Sequence, residues 1–182
     1  KSILINGEMT FDISLADFAF AFIFNAGLSI TSDSRNLISL IYMLNKYKIN
    51  SLYVVPSTLK KIVLFFKNNK NYNFSNTTQI NCGGEILSSK LVKDAKKIFK
   101  KADFYNFYGP TEFTINSTYH KIDLKRQYRS DTIPIGKPLP NIKYYIKKDK
   151  RKDSHGELLL NGNQLMFGYT NAKNPFLNFN KK

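Results

Sequence analysis

Apolar positions in this chain switch repeatedly between helical and extended spacing, and each switch marks an element. Ser14 is positioned to cap a helix running from Leu15 to about Asn25, with Gly27 as its stop. Leu28–Thr31 then reads as a short strand. Ser34 is placed to cap a second helix whose Leu37, Ile41 and Leu44 share one face. Ser51–Val55 is strand-like, and Pro56-Ser57 opens a third helix to about Phe66. The polar, Asn-rich stretch Lys67–Thr78 predicts an exposed loop. Gln79–Cys82 resumes a strand that turns at Gly83-Gly84, and Ser88 or Ser89 starts a helix through Lys100.

Asp103–Phe107 is a further strand, ending in Tyr108-Gly109-Pro110. Beyond it only short β runs follow: Ile115–Tyr119, Asn141–Ile146, Glu157–Leu160 and Leu165–Tyr169. Alternating strands and helices followed by strands predict an α/β fold, a mainly parallel sheet flanked by helices with a smaller β-rich portion. The expected division is an α/β part over 1–113 and a β-rich part over 114–182. Ser2–Ile5 opens as if mid-element and Pro175–Lys182 trails off without a cap, so a fragment of a larger domain is expected.

Composition narrows the picture. The 182 residues include 15 Phe and 11 Tyr but no Trp, and Lys, Asn, Ile, Phe and Tyr rise together as an AT-rich genome would give. A net charge of +15 raises nucleic acid as a partner. The charge is carried mainly by Lys, however, whereas base edges and phosphates are read chiefly by Arg, present only at positions 35, 126, 129 and 151. Lys90, Lys93, Lys97, Lys100 and Lys101 are spaced to solvate one helix face, so no nucleic-acid site is expected. One cysteine, Cys82, excludes an internal disulfide, and His120 and His155 add no metal spacing. The apolar run Leu15–Ile30 is broken by Asp17 and Asn25, which reads as buried helix and strand rather than a membrane span. Without a secretory signal, the cytoplasm is the default location.

The candidate chemistry gathers at strand ends. In Asn106-Phe107-Tyr108-Gly109-Pro110-Thr111-Glu112 a strand runs into a Gly-Pro turn carrying a hydroxyl and a carboxylate. Open α/β sheets bind ligands at that carboxyl edge. Tyr108 offers a face on which a base can stack, Asn106 an amide, Thr111 a hydroxyl for phosphate and Glu112 an oxygen ligand for Mg²⁺. Upstream, Cys82-Gly83-Gly84-Glu85 also ends a strand, and paired glycines let backbone approach a flat ligand. Phe11-Asp12-Ile13-Ser14 sets an acid ahead of an apolar helix, the usual place for a cap. Ile135-Gly136-Lys137-Pro138, Gly156-Glu157-Leu158 and Gly168-Tyr169 follow downstream. Taken singly, each of these segments reads equally well as a turn.

In order and spacing together, the segments resemble the amino acid adenylation domains of nonribosomal peptide synthetases and the D-alanine:carrier-protein ligases, within the adenylate-forming superfamily. The resemblance runs from about Phe11 to Phe176 and implies a fragment of the large N-terminal domain of such an enzyme. It implies that Asp12 meets the substrate ammonium, that Gly83, Gly84 and Glu85 line an adenine slot, and that Tyr108 beside Gly109 stacks on adenine. Asn106 would bond the adenine amino edge, Thr111 would touch the α-phosphate and Glu112 would bind Mg²⁺. Ile13, Ala16, Val54, Ile80, Cys82, Phe107 and Ile115 would line the side-chain pocket, although plain core explains such residues too. Met166-Phe167 departs from the family's small and basic pair. The family's Gly/Ser/Thr-rich phosphate loop, its ribose-binding Asp and its lid with a catalytic Lys have no counterpart in this sequence.

The implied reaction is ATP-dependent: an amino acid carboxylate attacks the α-phosphate, and the aminoacyl-adenylate passes its acyl group to the phosphopantetheine thiol of a carrier protein. The isolated chain is expected to be inactive. The apolar pocket points to a small or medium apolar amino acid, D-alanine included. The alternatives are an acyl-CoA or aryl-acid ligase of the same superfamily, which has no need of an acid at position 12, and a non-catalytic basic binding module derived from it.

Overall fold

The computed structural model describes residues 1–170, positions 32, 34, 70, 71, 127, 129, 150 and 151 excepted. Five short strands alternate with four helices: β1 (Ser2–Ile5), α1 (Ile13–Ile23), β2 (Gly27–Ile30), α2 (Leu37–Lys46), β3 (Ser51–Val54), α3 (Pro56–Asn68), β4 (Gln79–Cys82), α4 (Ser89–Ile98) and β5 (Asp103–Tyr108). A 3-10 turn at Thr111–Phe113 leads into β6 (Thr118–Lys121) and β7 (Lys137–Pro138). The main sheet has the order β2-β1-β3-β4-β5-β6-β7, parallel through β5 and antiparallel beyond it. Strands β8 (Lys143–Asp149) and β9 (Lys152–Asn161) form a separate antiparallel pair.

This order reverses direction at β1. Crossovers between parallel strands are right-handed, so the reversal puts α1 on one face and α2, α3 and α4 on the other. The three-helix face holds the core. Leu52, Ile80 and Phe104 lie in register across β3–β5 and pack with Leu40, Ile62 and Val92. Among the described residues no helix is long and apolar enough to cross a membrane.

Several local expectations need correction. Ser14 does not cap α1: its hydroxyl is buried and donates to the Met9 and Phe11 carbonyls at 3.2 and 2.8 Å, and Asp12 takes the cap position without a capping hydrogen bond. The expected cap Ser34 lies outside the described residues. The cap of α2 is Asn36, whose Oδ1 accepts from the Ile38 and Ser39 amides. Gly27 begins β2 instead of stopping α1.

The stretch after α3 is less exposed than its polarity predicts. Phe74 is buried and stacks on Phe99 at 5.2 Å, and the buried Thr77 hydroxyl donates to the Ile49 carbonyl. Ile115 opens no strand, because Thr114 and Ile115 both take positive φ and delay β6 to Thr118. Leu165–Tyr169 is irregular, and β8 starts only after Asn141, itself at φ 66°. The tail Pro175–Lys182 lies outside the described residues.

Candidate functional site

The carboxyl ends of β1, β3, β4 and β5 open on the same edge, where the reversal of strand order leaves a crevice. Three loops meet there: the approach to α1 with Asp12, the Gly83-Gly84 turn after β4, and the Tyr108–Glu112 segment after β5. Gly83 is required by close packing, since a Cβ would collide with the Tyr53 hydroxyl and lie 3.1 Å from the Phe107 carbonyl. Gly109 is equally confined, for a Cβ there would strike the Ile115 carbonyl and reach within 2.7 Å of the Ser117 amide. Gly83 lets its turn lie close to the Phe107 backbone, and Gly109 lets the segment after β5 close on Ile115, Asn116 and Ser117.

Asp12 and Thr111, far apart in sequence, line one cleft of about 390 Å³ with Met9, Phe11 and Leu15. Asp12 is half-buried beside this cleft, and its Oδ2 has no hydrogen-bond partner among the described residues. The cost of burying a carboxylate oxygen without a donor points to a ligand that brings one. A second cleft of about 530 Å³ separates Tyr108, Pro110 and Glu112 from Tyr144, Leu158 and Leu160 of the β8–β9 pair. Tyr108 is 39% exposed, leaving its ring available for stacking.

Glu112 accepts a hydrogen bond from the Tyr169 hydroxyl, and this bond holds its carboxyl below the usual range. No group of three or more His, Cys, Asp or Glu able to hold a metal occurs among the described residues. A single carboxylate suits Mg²⁺ all the same, since that ion commonly takes one or two carboxylates and fills its shell with water and substrate phosphates.

Strand alternation separates the expected pocket residues. Phe107 faces the α1 side and packs against Tyr53 at 5.9 Å. Ala16 is buried, and Ile13 and Ile115 are half-buried near the same edge. Val54, Ile80 and Cys82 belong instead to the core on the opposite face, so they do not line the α1-side crevice. Burial pushes the Cys82 thiol up to about 12, which keeps it protonated and unreactive.

Two polar residues are also engaged structurally. Asn106 uses both amide hydrogens on the Ile133 and Pro134 carbonyls, at 3.2 and 3.0 Å, which leaves its Oδ1 as the atom that can accept from an amino group. Glu85 accepts from the Ser57 amide and hydroxyl, both at 2.8 Å, so both its carboxylate oxygens are tied to the first turn of α3. Gly84 turns the chain at φ 82°.

The structure adds residues that sequence reading missed. Tyr53 donates to Asn116 Oδ1 at 3.0 Å, and both Asp12 and Asp17 act electrostatically on it. Asp17 lies on the inner side of α1, 3% exposed, with Oδ2 unpartnered among the described residues. Burial raises its pKa to about 7. Asn81 is buried beside Tyr53 in register. The available signal was a polar residue inside each apolar run: Asp17 in α1, Tyr53 in β3 and Asn81 in β4.

A model of the AMP-binding enzyme family matches residues 2–170. The chain is 33% identical over 140 residues to bacitracin synthase 2 of Bacillus licheniformis, a match covering 75% of this chain and 5% of that protein. Its fold is similar to the Vibrio cholerae adenylation domain AlmE, crystallised in complex with glycyl-adenosine-5'-phosphate, at a TM-score of 0.76 and 22% identity over 94% of this chain and 34% of that one. It is also similar to holo-PA1221, an NRPS protein containing adenylation and PCP domains, at a TM-score of 0.79 and 22% identity, covering 94% of this chain and 30% of that one. The chain thus spans well under two thirds of each of these proteins.

Proposed function

The chain belongs to the AMP-binding enzyme family, and from that premise we propose that it is part of an adenylation domain that activates an amino acid with ATP. The observation that carries this reading is the cleft shared by Asp12 and Thr111, with a buried carboxylate oxygen that lacks a donor. A substrate ammonium supplies that donor and a compensating charge. An aryl or fatty acid supplies neither, so the amino acid reading is favoured over an acyl-CoA or aryl-acid ligase.

The steps follow from the geometry. Asp12 receives the ammonium and directs the substrate carboxylate toward Thr111, whose hydroxyl donates to the α-phosphate. Tyr108 stacks on adenine, while Gly83 and Gly84 let backbone lie close to the ring. The substrate carboxylate oxygen forms a bond to the α-phosphorus as the bond to pyrophosphate breaks, giving an aminoacyl-adenylate. Glu112 is the residue that would hold Mg²⁺, which when bound supplies positive charge to the phosphates. The chain's own contribution is positioning and electrostatics, and no side-chain nucleophile is needed. The acyl group then passes to the thiol of a carrier protein's phosphopantetheine with release of AMP. The adenylation and PCP domains of holo-PA1221 support this choice of partner. The phosphate loop and lid of the domain would come from segments outside this chain.

Asp12→Ala in the full-length enzyme tests the proposal. Leaving one member of a buried charge pair alone should raise the amino acid dissociation constant roughly thirtyfold or more. ATP affinity should stay unchanged, because adenine contacts other residues. Amino acid titrations and ATP–pyrophosphate exchange would read both quantities. An unaltered amino acid affinity would rule out the ammonium role of Asp12 and return the aryl- or acyl-acid reading.

A further inference from the structure

Glu112 does not stand free in the cleft. Its carboxylate accepts the Tyr169 hydroxyl hydrogen, and its backbone carbonyl accepts from the Met166 amide at 2.9 Å. Two residues on, the Thr114 hydroxyl donates to the Gln164 carbonyl at 2.7 Å. The segment after β9 therefore crosses the Thr111–Phe113 turn and is fastened to it at three points. Only one of the three touches a group with proposed chemistry. Gly168, just before Tyr169, has φ 136°, a conformation side-chain-bearing residues rarely adopt.

An ionised carboxylate only accepts hydrogen bonds, so the phenol must be the donor and the bond is charge-assisted. With Oε1 committed to Tyr169, Oε2 is the oxygen left for a cation. A carboxylate on a flexible two-carbon stem otherwise samples several rotamers, and a metal ligand gains from having that freedom removed beforehand. We propose that Tyr169 is the positioning residue for Glu112: its hydroxyl fixes the carboxylate in the orientation that receives the Mg²⁺ of Mg·ATP. The proposal rests on the metal role of Glu112 given above. It assigns Tyr169 no contact with substrate or metal.

Equilibrium binding distinguishes positioning from mere support. Calorimetric titration of ATP into the full-length enzyme at stepped Mg²⁺ concentrations gives the Mg²⁺ level at which ATP affinity is half-maximal. Tyr169→Phe keeps the ring and removes only the hydroxyl. It should raise that level about three- to tenfold, the size expected from one hydrogen bond to a charged group. Glu112→Gln should raise it at least as far, and Tyr169→Phe added to Glu112→Gln should raise it no further. Thr114→Val breaks another of the three fastenings and should leave the Mg²⁺ level where it was, whatever it does to the melting temperature.

The outcomes separate cleanly. If Glu112→Gln shifts the level and Tyr169→Phe does not, the positioning role is overturned while the metal role stands. If Thr114→Val shifts it as much as Tyr169→Phe, the segment acts as a general support and the proposal fails. If neither Glu112→Gln nor Tyr169→Phe shifts it, the metal reading itself falls and takes this proposal with it.

Discussion

The two faces of the parallel sheet are built from the same strands and differ in almost every other respect. One carries Leu52, Val54, Ile80, Cys82 and Phe104 against three helices and is apolar and closed. The other carries Tyr53, Asn81, Tyr105 and Phe107 beneath α1, with a side-chain hydrogen bond from Tyr53 to Asn116 and Asp17 nearby. Neighbours in a parallel sheet share a face when in register, so Tyr53–Asn81–Tyr105 forms one row and Val54–Cys82–Asn106 another. Packing and chemistry are thus divided by the side-chain period of two. A residue's face, more than its closeness to a motif, decides which of the two it serves.

Mutations can break this division or sharpen it. Ile80→Ala should have the largest effect, because Ile80 is fully buried in the core and its truncation leaves a cavity. A loss of about 2–5 kcal/mol is expected in denaturant unfolding of the full-length protein. The fraction that stays folded should keep the wild-type amino acid preference. A changed preference would put Ile80 back among the pocket residues.

Asp17→Asn comes next. The folded pKa of Asp17, about 7, lies above its ordinary value of 3.8. Between those values the unfolded chain has released the proton and the folded chain still holds it. The contribution of Asp17 to stability is therefore fully present below the lower value and is lost as pH rises through the higher one. The loss should be on the order of 4 kcal/mol. Asn at this position should flatten that slope and stabilise the protein at neutral pH. Denaturant melts across the interval would reveal it, and an unchanged slope would mean that Asp17 finds a partner in the folded protein.

Tyr53→Phe should have the smallest effect on stability. It removes the hydrogen bond to Asn116 at a cost of about 1 kcal/mol. Its consequence should appear in amino acid selection, read by pyrophosphate exchange over a panel of amino acids, with ATP affinity unchanged. Should Val54→Ala alter selection and Tyr53→Phe leave it alone, the two faces have been assigned the wrong way round.

The order of elements was legible because each carries its own period and punctuation. Pro56 opens α3 and Ser88 caps α4 where the sequence predicts. What escaped depends on partners distant in sequence. Nothing local to Ser14 tells that its hydroxyl turns back to Met9 and Phe11, and nothing in the Asn-rich stretch tells that Phe74 finds Phe99. The Asp12, Gly83-Gly84 and Tyr108–Glu112 loops were identifiable because strand ends and glycines are local signals. The commitments of Glu85 to Ser57 and of Asn106 to Ile133 and Pro134 were not, since both are tertiary hydrogen bonds.

The strand order also governs when a newly made chain can first form the cleft between Asp12 and Thr111. Asp12 follows β1, whereas Thr111 follows β5, and both β3 and β4 must be seated between them before the two share a cleft. Joining parallel strands so far apart in sequence incurs loop-closure entropy that later contacts repay, which makes such pairings slow to form. The cleft is therefore among the last features to mature. A nascent or half-folded chain holds Asp12 and Thr111 apart, and so has no such cleft before the sheet beneath it is complete.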